Sequence, residues 1–286
     1  MSVKIITDST SYINENLRRE LDIKVLPLYV SFKDESIKET DIENKAFYKK
    51  MEEKGIPFSS QPTLVELYQS MEDVVSKGYD LLCIFLSSDM SGTYNSACKV
   101  KEKVLEEYKD AKIYILDSES NSMQLGFAAI VAARAAKDGK VIEEVLEVAK
   151  QNIKRSRFLF IPDNLEYLRK GGRIGGASAL IGNILKIIPI LTVKDGETAI
   201  LKTVRTKKKA VKAMLDRVLE DHLAYHIKEI IVHHINCYDQ AKALANILKE
   251  KLDMKVSIQD IGPVIGVHVG PGAIGIVYYT QDVLLP

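Results

Sequence analysis

The sequence predicts an α/β protein of two domains, and three observations carry that expectation. Short apolar runs alternate with helical patterns through the first half of the chain, as in a parallel sheet covered by helices. From about residue 156 the character changes to glycine pairs and hairpin signals mixed with helices, which indicates a mixed sheet. The 286 residues are enough for two ordinary domains, each with its own core. The reading is therefore a domain over 1–155 with a parallel sheet and a domain over 156–286 with a mixed sheet.

In the first domain "VKIITD", "KVLPLYVSF", "LLCIFL" and "KIYILD" read as buried strands bounded by polar turns. Helical patterns lie between and after them, at Ile42 to Lys54, Thr63 to Lys77, Ser91 to Tyr108, Ser120 to Lys137 and Val141 to Arg155. In the second, "SRFLFIP" is a strand, a short helix follows, and the pairs Gly171–Gly172 and Gly175–Gly176 precede an apolar helix from about Ala177 to Leu185. "IPILTV" and "TAILKTV" flank the turn "KDGE", a hairpin pattern. A basic helix over Lys207 to His222, the strand "EIIVHHI", a helix near Gln240 to Lys251 and the strands "KVSIQDI", "VIGVHVG" and "AIGIVYY" complete the chain.

Composition excludes several classes. Lys+Arg number 40 against 39 Asp+Glu, a balance with no general attraction to nucleic acid or to a membrane surface. The N-terminal "MSVKIITDST" has no signal-peptide pattern, and the apolar stretch "ALIGNILKIIPILTV" is broken by Asn183, Lys186 and Pro189, so no bilayer span is expected. The three cysteines, Cys83, Cys98 and Cys237, form neither a disulfide framework nor a zinc pattern, which points to a reducing cytoplasm.

Strand ends in a parallel sheet open on one edge, where ligands bind. Asp8–Ser9, Ser87–Ser88 and Asp117–Ser118 stand at three such ends, although each is also a natural starter of the next helix. In "LSSDMSGTYNSA", Ser91 is a helix cap by type, and Gly92 beside it permits close approach to the first free helical N–H groups. In "PFSSQPTLVEL", Thr63 and Glu66 have capping-box spacing, Pro62 holds Gln61 extended, and Ser59 and Ser60, just ahead of the helix, are expected to offer their hydroxyls. "GPVIGVHVGPGAIG" places glycine and proline turns around His268, read as a strand residue. His222 and His226 have the spacing of two metal ligands but no third ligand in a motif, so no metal is expected. "YLRKGGRIGG" is neither a Walker loop nor GxGxxG. The basic run Arg205, Lys207, Lys208, Lys209 and Lys212 lacks the aromatic residues of a single-strand binder and is read as a solvated face or the docking face for an acidic protein.

Taken together, "TDST", "SSQPT", "LSSDMSGTYNSA", "YLRKGGRIGG" and "HVGPGAIG" resemble, in order and from end to end, the DegV family of bacterial fatty-acid-binding proteins. The resemblance implies a three-layer parallel-sheet domain and a two-layer mixed-sheet domain, related to the dihydroxyacetone-kinase substrate-binding subunit. It implies a long-chain fatty acid such as palmitate or stearate in a buried tunnel, its carboxylate near the domain interface, and no further cofactor. Carried over, the hydroxyls on the carboxylate are Ser59 of "SSQP" and Ser91 of "SGT", with Ser60, Gly92 and Thr93 beside them and His268 near the head group. The first position is Ser where the family more often has Thr, which keeps the hydroxyl and loses the stiffening methyl. The resemblance also implies a carrier rather than an enzyme, one that offers its ligand to a separate ATP-dependent fatty acid kinase, with Arg169, Arg173 and Arg205 as docking residues.

Hydrogen bonds to an ionised carboxylate contribute about 1.5–3 kcal/mol each, and each buried methylene about 0.8 kcal/mol, so a long tail outweighs its head. "LLCIFL", "GFAAIVAA" and "ALIGNILKIIPIL" are the candidate lining segments. The rival reading is a serine hydrolase with Ser91 as nucleophile and His268 as base, although "DMSGT" lacks the GxSxG elbow. A nucleic-acid regulator using the basic helix is a third reading, opposed by the near-neutral charge.

Overall fold

Strand β1 (Val3–Asp8) is the frame on which the first half is built, and it is buried along most of its length. The computed structural model describes residues 2–180 and 187–285. After β1 come α1 (Glu15–Glu20), β2 (Ile23–Leu26), β3 (Tyr29–Phe32), β4 (Glu35–Lys38), α2 (Asn44–Lys54), β5 (Phe58–Ser60), α3 (Leu64–Val75) and β6 (Asp80–Phe85). Then follow α4 (Thr93–Glu107), β7 (Ile113–Asp117), α5 (Ser122–Lys137) and α6 (Ile142–Lys154). The second half contains β8 (Ser156–Ile161), α7 (Glu166–Lys170), β9 (Ile188–Lys194), β10 (Glu197–Val204), α8 (Lys207–Tyr225) and β11 (Ile227–His234). It ends with α9 (Tyr238–Leu252), β12 (Ser257–Asp260), α10 (Pro263–Val269) and β13 (Ile274–Thr280).

These elements divide into two units, one formed by Met1–Asp41 and Ser59–Ile153, the other by Ile42–Phe58 and Lys154–Pro286. The first contains a sheet of order β2-β1-β6-β7 in which every pairing is parallel. On one face Ile6, Leu81, Cys83 and Phe85 meet Leu67 and Met71 of α3 and Ala97 and Val100 of α4. Helix α5 packs against β1 and β6. A smaller sheet of order β4-β3-β5 stands beside this frame. The run "KVLPLYVSF", expected as one strand, is two: β2 joins the parallel sheet and β3 the small one. Pro27 between them has no N–H to give a ladder, and the Leu28 N–H turns to the Ser9 hydroxyl at 2.9 Å.

The second unit has a six-stranded sheet of order β10-β9-β8-β13-β11-β12. Only β11 and β12 pair in parallel; the remaining pairings are antiparallel, so the sheet is mixed as expected. "KDGE" is the β9–β10 hairpin turn, with Asp195 and Gly196 at φ 50° and 82°. Helices α8 and α9 cover one face, where Met214, Val218, Leu244 and Leu248 pack on Leu159, Ile230, Val232 and Ile276. Helix α2 belongs here and not with its sequence neighbours: the Tyr48 hydroxyl donates to the Ile261 carbonyl at 2.9 Å, and Asn44 Nδ2 to Asp260 at 2.8 Å. The sequence reading, with a single passage near residue 156, did not contain this excursion.

Two further expectations change. "VIGVHVG" is helix α10 and not a strand: Pro263 occupies its first turn, where a missing N–H is harmless, and Gly270 at φ 83° ends it. Of the helix expected from Ala177 to Leu185, residues 175–180 form a 3-10 turn, and 181–186 lie outside the described residues.

A buried polar anchor of the second unit is Asp221 on α8. Its carboxylate accepts from Arg157 Nε at 2.7 Å and from the Tyr278 hydroxyl at 2.6 Å, and pairs with Arg217 at 3.1 Å. Its side chain is 3% exposed, so removing it leaves the Arg157 charge without its partner in a nearly dry setting. Asp221→Ala is expected to lower stability by about 3–5 kcal/mol in urea unfolding; a loss below about 1 kcal/mol, the range of exposed pairs, would contradict this anchoring role.

Candidate functional site

Parallel pairing of β1, β6 and β7 brings their C-terminal ends to one edge, and the edge is held by aspartates acting across strands. Asp8 accepts from the Thr10 N–H at 2.9 Å and hydroxyl at 2.5 Å, and from the Leu86 N–H, beyond β6, at 2.8 Å. Asp117, ending β7, accepts from the Ser88 N–H at 3.2 Å and the Glu119 N–H at 2.8 Å. Both carboxylates are thus spent on nearby donors, backbone N–H groups and the Thr10 hydroxyl, close to the plain reading that they start the next turn. Burial pushes Asp8 up to about 6, against the hydrogen bonds from Thr10 and Leu86.

The joint between β6 and α4 carries the first group of site candidates. Ser91 is not itself the cap: Gly92 holds that position without a side-chain bond. Ser91 Oγ instead accepts the Thr93 N–H at 3.3 Å and lies 2.9 Å from Thr93 Oγ1. A hydroxyl has two acceptor sites and one proton. Either hydroxyl can donate in the 2.9 Å contact, and whichever does, the other hydroxyl of the pair keeps a proton for an acceptor at the end of α4. The first intrahelical bond here is from Ser96 N to Gly92 O, so the earlier N–H groups lie at an end that favours an anion. Ser91 is half-buried, Gly92 exposed and Thr93 buried.

The second group, Ser59 and Ser60, is brought to the same place by Gln61. Its Nε2 donates to Ser96 Oγ on α4 at 2.8 Å, and its Oε1 lies 2.5 Å from where a Cβ on Gly92 would stand. Gly92 thus leaves room for the Gln61 amide, which a Cβ there would oblige to shift. Ser59 is half-buried and Ser60 exposed, and two residues of extended chain span at most about 7 Å from Gln61. On the other side of Gln61 the expected capping box is present: Glu66 accepts the Thr63 N–H at 3.0 Å while its own N–H donates to the Thr63 hydroxyl at 3.2 Å. Glu66 also accepts from the Tyr29 hydroxyl of β3 and pairs with Lys38 at 3.3 Å. The Tyr29, Thr63 and Lys38 contacts hold its carboxyl at about 2, overcoming its desolvation. The reach of Gln61 to α4 and the bonds of Glu66 to Tyr29 and Lys38 went unnoticed in the sequence, where the signals were the extended conformation that Pro62 imposes on Gln61 and the capping-box spacing of Glu66.

In the second unit His268 lies on α10 against Gly171, the C-cap of α7; a Cβ on Gly171 would collide with His268 Nδ1. Burial, and next the nearby Arg173 charge, lower its pKa to about 4, so the ring is neutral near pH 7. Arg173 is half-buried and donates to the Gly171 carbonyl at 2.6 Å, whereas Arg169 and Arg205 are exposed. Lys207 pairs with Asp163 at 3.5 Å and Lys212 with Asp216 at 2.6 Å. His222 lies on α8, while His226 stands just beyond its end at φ 56°. Among the described residues no group of three or more His, Cys, Asp or Glu is placed to hold a metal ion, and no helix is long and apolar enough to cross a membrane. Of the candidate lining segments, "LLCIFL" is fully buried, Gly126 in "GFAAIVAA" packs against the Ser11 carbonyl, and 181–186 of the third lie outside the described residues.

The pattern of a family described as an uncharacterised protein, DegV family, matches residues 2–281. A DegV domain-containing protein of Clostridium acetobutylicum is 63% identical over 281 residues, covering 98% of this chain and 99% of its own. The crystal structure of DegV from Bacillus subtilis, described as a fatty acid binding protein, superposes with a TM-score of 0.89 at 32% identity, over 98% of this chain and 99% of that one. A stearic acid-binding protein from Eubacterium ventriosum gives a TM-score of 0.89 at 25% identity, over 98% of each chain.

The imidazoles of His233, His234 and His268, each lowered by burial, weaken the fold toward acid. His233, its Nδ1 3.1 Å from the Gln259 carbonyl, is also lowered to about 4 by burial. An unfolded imidazole titrates near 6.5. Below that pH the unfolded chain takes up protons that the folded chain refuses, so stability falls as pH drops from 6.5 toward about 4. Asp8, raised to about 6, acts oppositely: its contribution is present below its ordinary 3.8 and is lost as pH rises through about 6. Urea midpoints measured across this range should decline less steeply toward acid in His268→Gln than in the unmodified protein. Identical slopes would show that the His268 ring is not held neutral.

Proposed function

The chain belongs to the DegV family, and from that premise we propose that it binds a long-chain fatty acid, of the palmitate or stearate class, as a non-enzymatic carrier. The carboxylate rests at the N-terminal end of α4, receiving the Ser91 hydroxyl proton and a second hydrogen bond from Ser59, with Ser60, Gly92 and Thr93 forming its surroundings. The observation that carries this reading is the Ser91–Thr93 hydroxyl pair at the start of α4, which shares one proton in its 2.9 Å contact and has the other left for an acceptor, at a helix end suited to an anion. The solved relatives described as fatty acid binding proteins support the ligand class. His268 is retained as a ligand-binding candidate on the family pattern; its neutral ring offers hydrogen bonding to a carboxylate without adding charge.

The acyl chain supplies most of the affinity through burial of methylenes in a tunnel, and the head contacts set direction. The carrier works in the cytoplasm and presents the carboxylate to a separate ATP-dependent kinase, which docks on Arg169, Arg173 and Arg205. A hydrolase reading gains no support from Ser91, whose hydroxyl is engaged with Thr93.

Native mass spectrometry of freshly purified protein should reveal one bound fatty acid per chain, identified after organic extraction. Palmitate affinity should fall about ten-fold or more for each hydroxyl removed in Ser59→Ala and Ser91→Ala, each a lost charge-assisted bond. Each added methylene should raise affinity about four-fold until the tunnel is filled. Unchanged palmitate binding in the Ser59→Ala/Ser91→Ala double variant would overturn the site.

A further inference from the structure

Resting on that functional reading, we infer that Gln61 is a positioning residue for the carboxylate site, a clamp that fixes the 59–61 segment on helix α4. The segment is held on one side by β5 joining β3 in the small sheet, and beyond Gln61 by the Thr63–Glu66 capping box. Helix α3, which the box begins, packs on α4 through apolar side chains. The Gln61 side chain adds a polar contact at the first turn of α4, with Nε2 on Ser96 Oγ at 2.8 Å and Oε1 closing over Gly92. Pro62 holds the Gln61 backbone extended, which carries the side chain outward from the segment toward the helix.

Gln61 thus spans the two hydroxyl motifs, one of which contains it and the other of which contains Gly92. Its partner Ser96 lies one turn into α4, at the residue whose N–H closes the first intrahelical bond with the Gly92 carbonyl. The amide therefore grips the first turn of the helix from both ends: the Ser96 hydroxyl at one, the bare Cα of Gly92 at the other. A Cβ on Gly92 would stand 2.5 Å from Oε1, so the amide would have to shift from the position in which it holds Ser96. This assigns Gly92 a role separate from giving a ligand room. It admits the clamp.

The clamp makes a specific coupling prediction. Gln61→Ala should weaken palmitate binding about ten-fold, as one charge-assisted hydrogen bond loses its alignment. Binding of hexadecanol, which has the same tail and no carboxylate, should be nearly unchanged. Gly92→Ala should weaken palmitate binding to a similar degree in the unmodified protein and add nothing in the Gln61→Ala background, because the colliding atom is then gone. Ser96→Ala removes the anchor from the other side and serves as the second variant should Gln61→Ala fail to fold. Equal losses for palmitate and hexadecanol, or additive losses in the double variant, would overturn the clamp. Unmodified protein that binds no palmitate would overturn the functional reading itself. A protein that loses palmitate on Ser91→Ala and keeps it on Gln61→Ala would overturn the clamp alone.

Discussion

Parallel pairing of β1, β6 and β7 is the constraint on which the first unit depends. Parallel strands end together, so three chain turns with their polar backbone groups crowd one edge, where water is largely excluded. The structure meets the demand with short side chains. Asp8 satisfies the Leu86 N–H across the gap to β6, and Asp117 satisfies that of Ser88 across the gap to β7. Thr7, Ser9, Thr10, Ser11, Ser87, Ser118, Ser120 and Ser122 are buried around them. A polar sheet edge of this kind follows first from backbone geometry; the candidate ligand site occupies its rim at α4.

What was legible in the sequence was what local rules govern. The capping box at Thr63 and Glu66, the "KDGE" hairpin and the order of strands and helices in the first half depend on neighbours within a few residues. Helix α10 was misread because its seven residues are shorter than two full turns of clear helical period, and Val, Ile and Gly imitate a strand. The better signal was Pro263 followed seven residues later by Gly270, a start and a stop. Pro27 likewise marked a break within an otherwise continuous apolar run.

The candidate site was legible as two motifs and illegible as one place. Ser59 and Ser91 are far apart in sequence, and no spacing rule joins them. The link is Gln61 to Ser96, a contact that residue type alone does not announce. The same holds for Glu66, whose bonds to Tyr29 and Lys38 tie the start of α3 to the small sheet. His268 was singled out for its glycine and proline neighbours. Those neighbours turn out to bound a short helix, whose imidazole packs on the bare Cα of Gly171.

Helix α2 has a consequence for how the protein is made. Its residues leave the ribosome well before Lys154, yet Asn44 and Tyr48 find their partners at Asp260, Ile261 and Gly262. During synthesis the helix is an advance party without a destination, its Tyr48 ring without the Gly266 surface it packs on until the end of the chain arrives. The second unit cannot be excised as one continuous gene fragment either. A fragment beginning at Lys154 would lack the helix that receives the corner between β12 and α10, so inheritance of the two units is joined in a way that a simple tandem arrangement would not require.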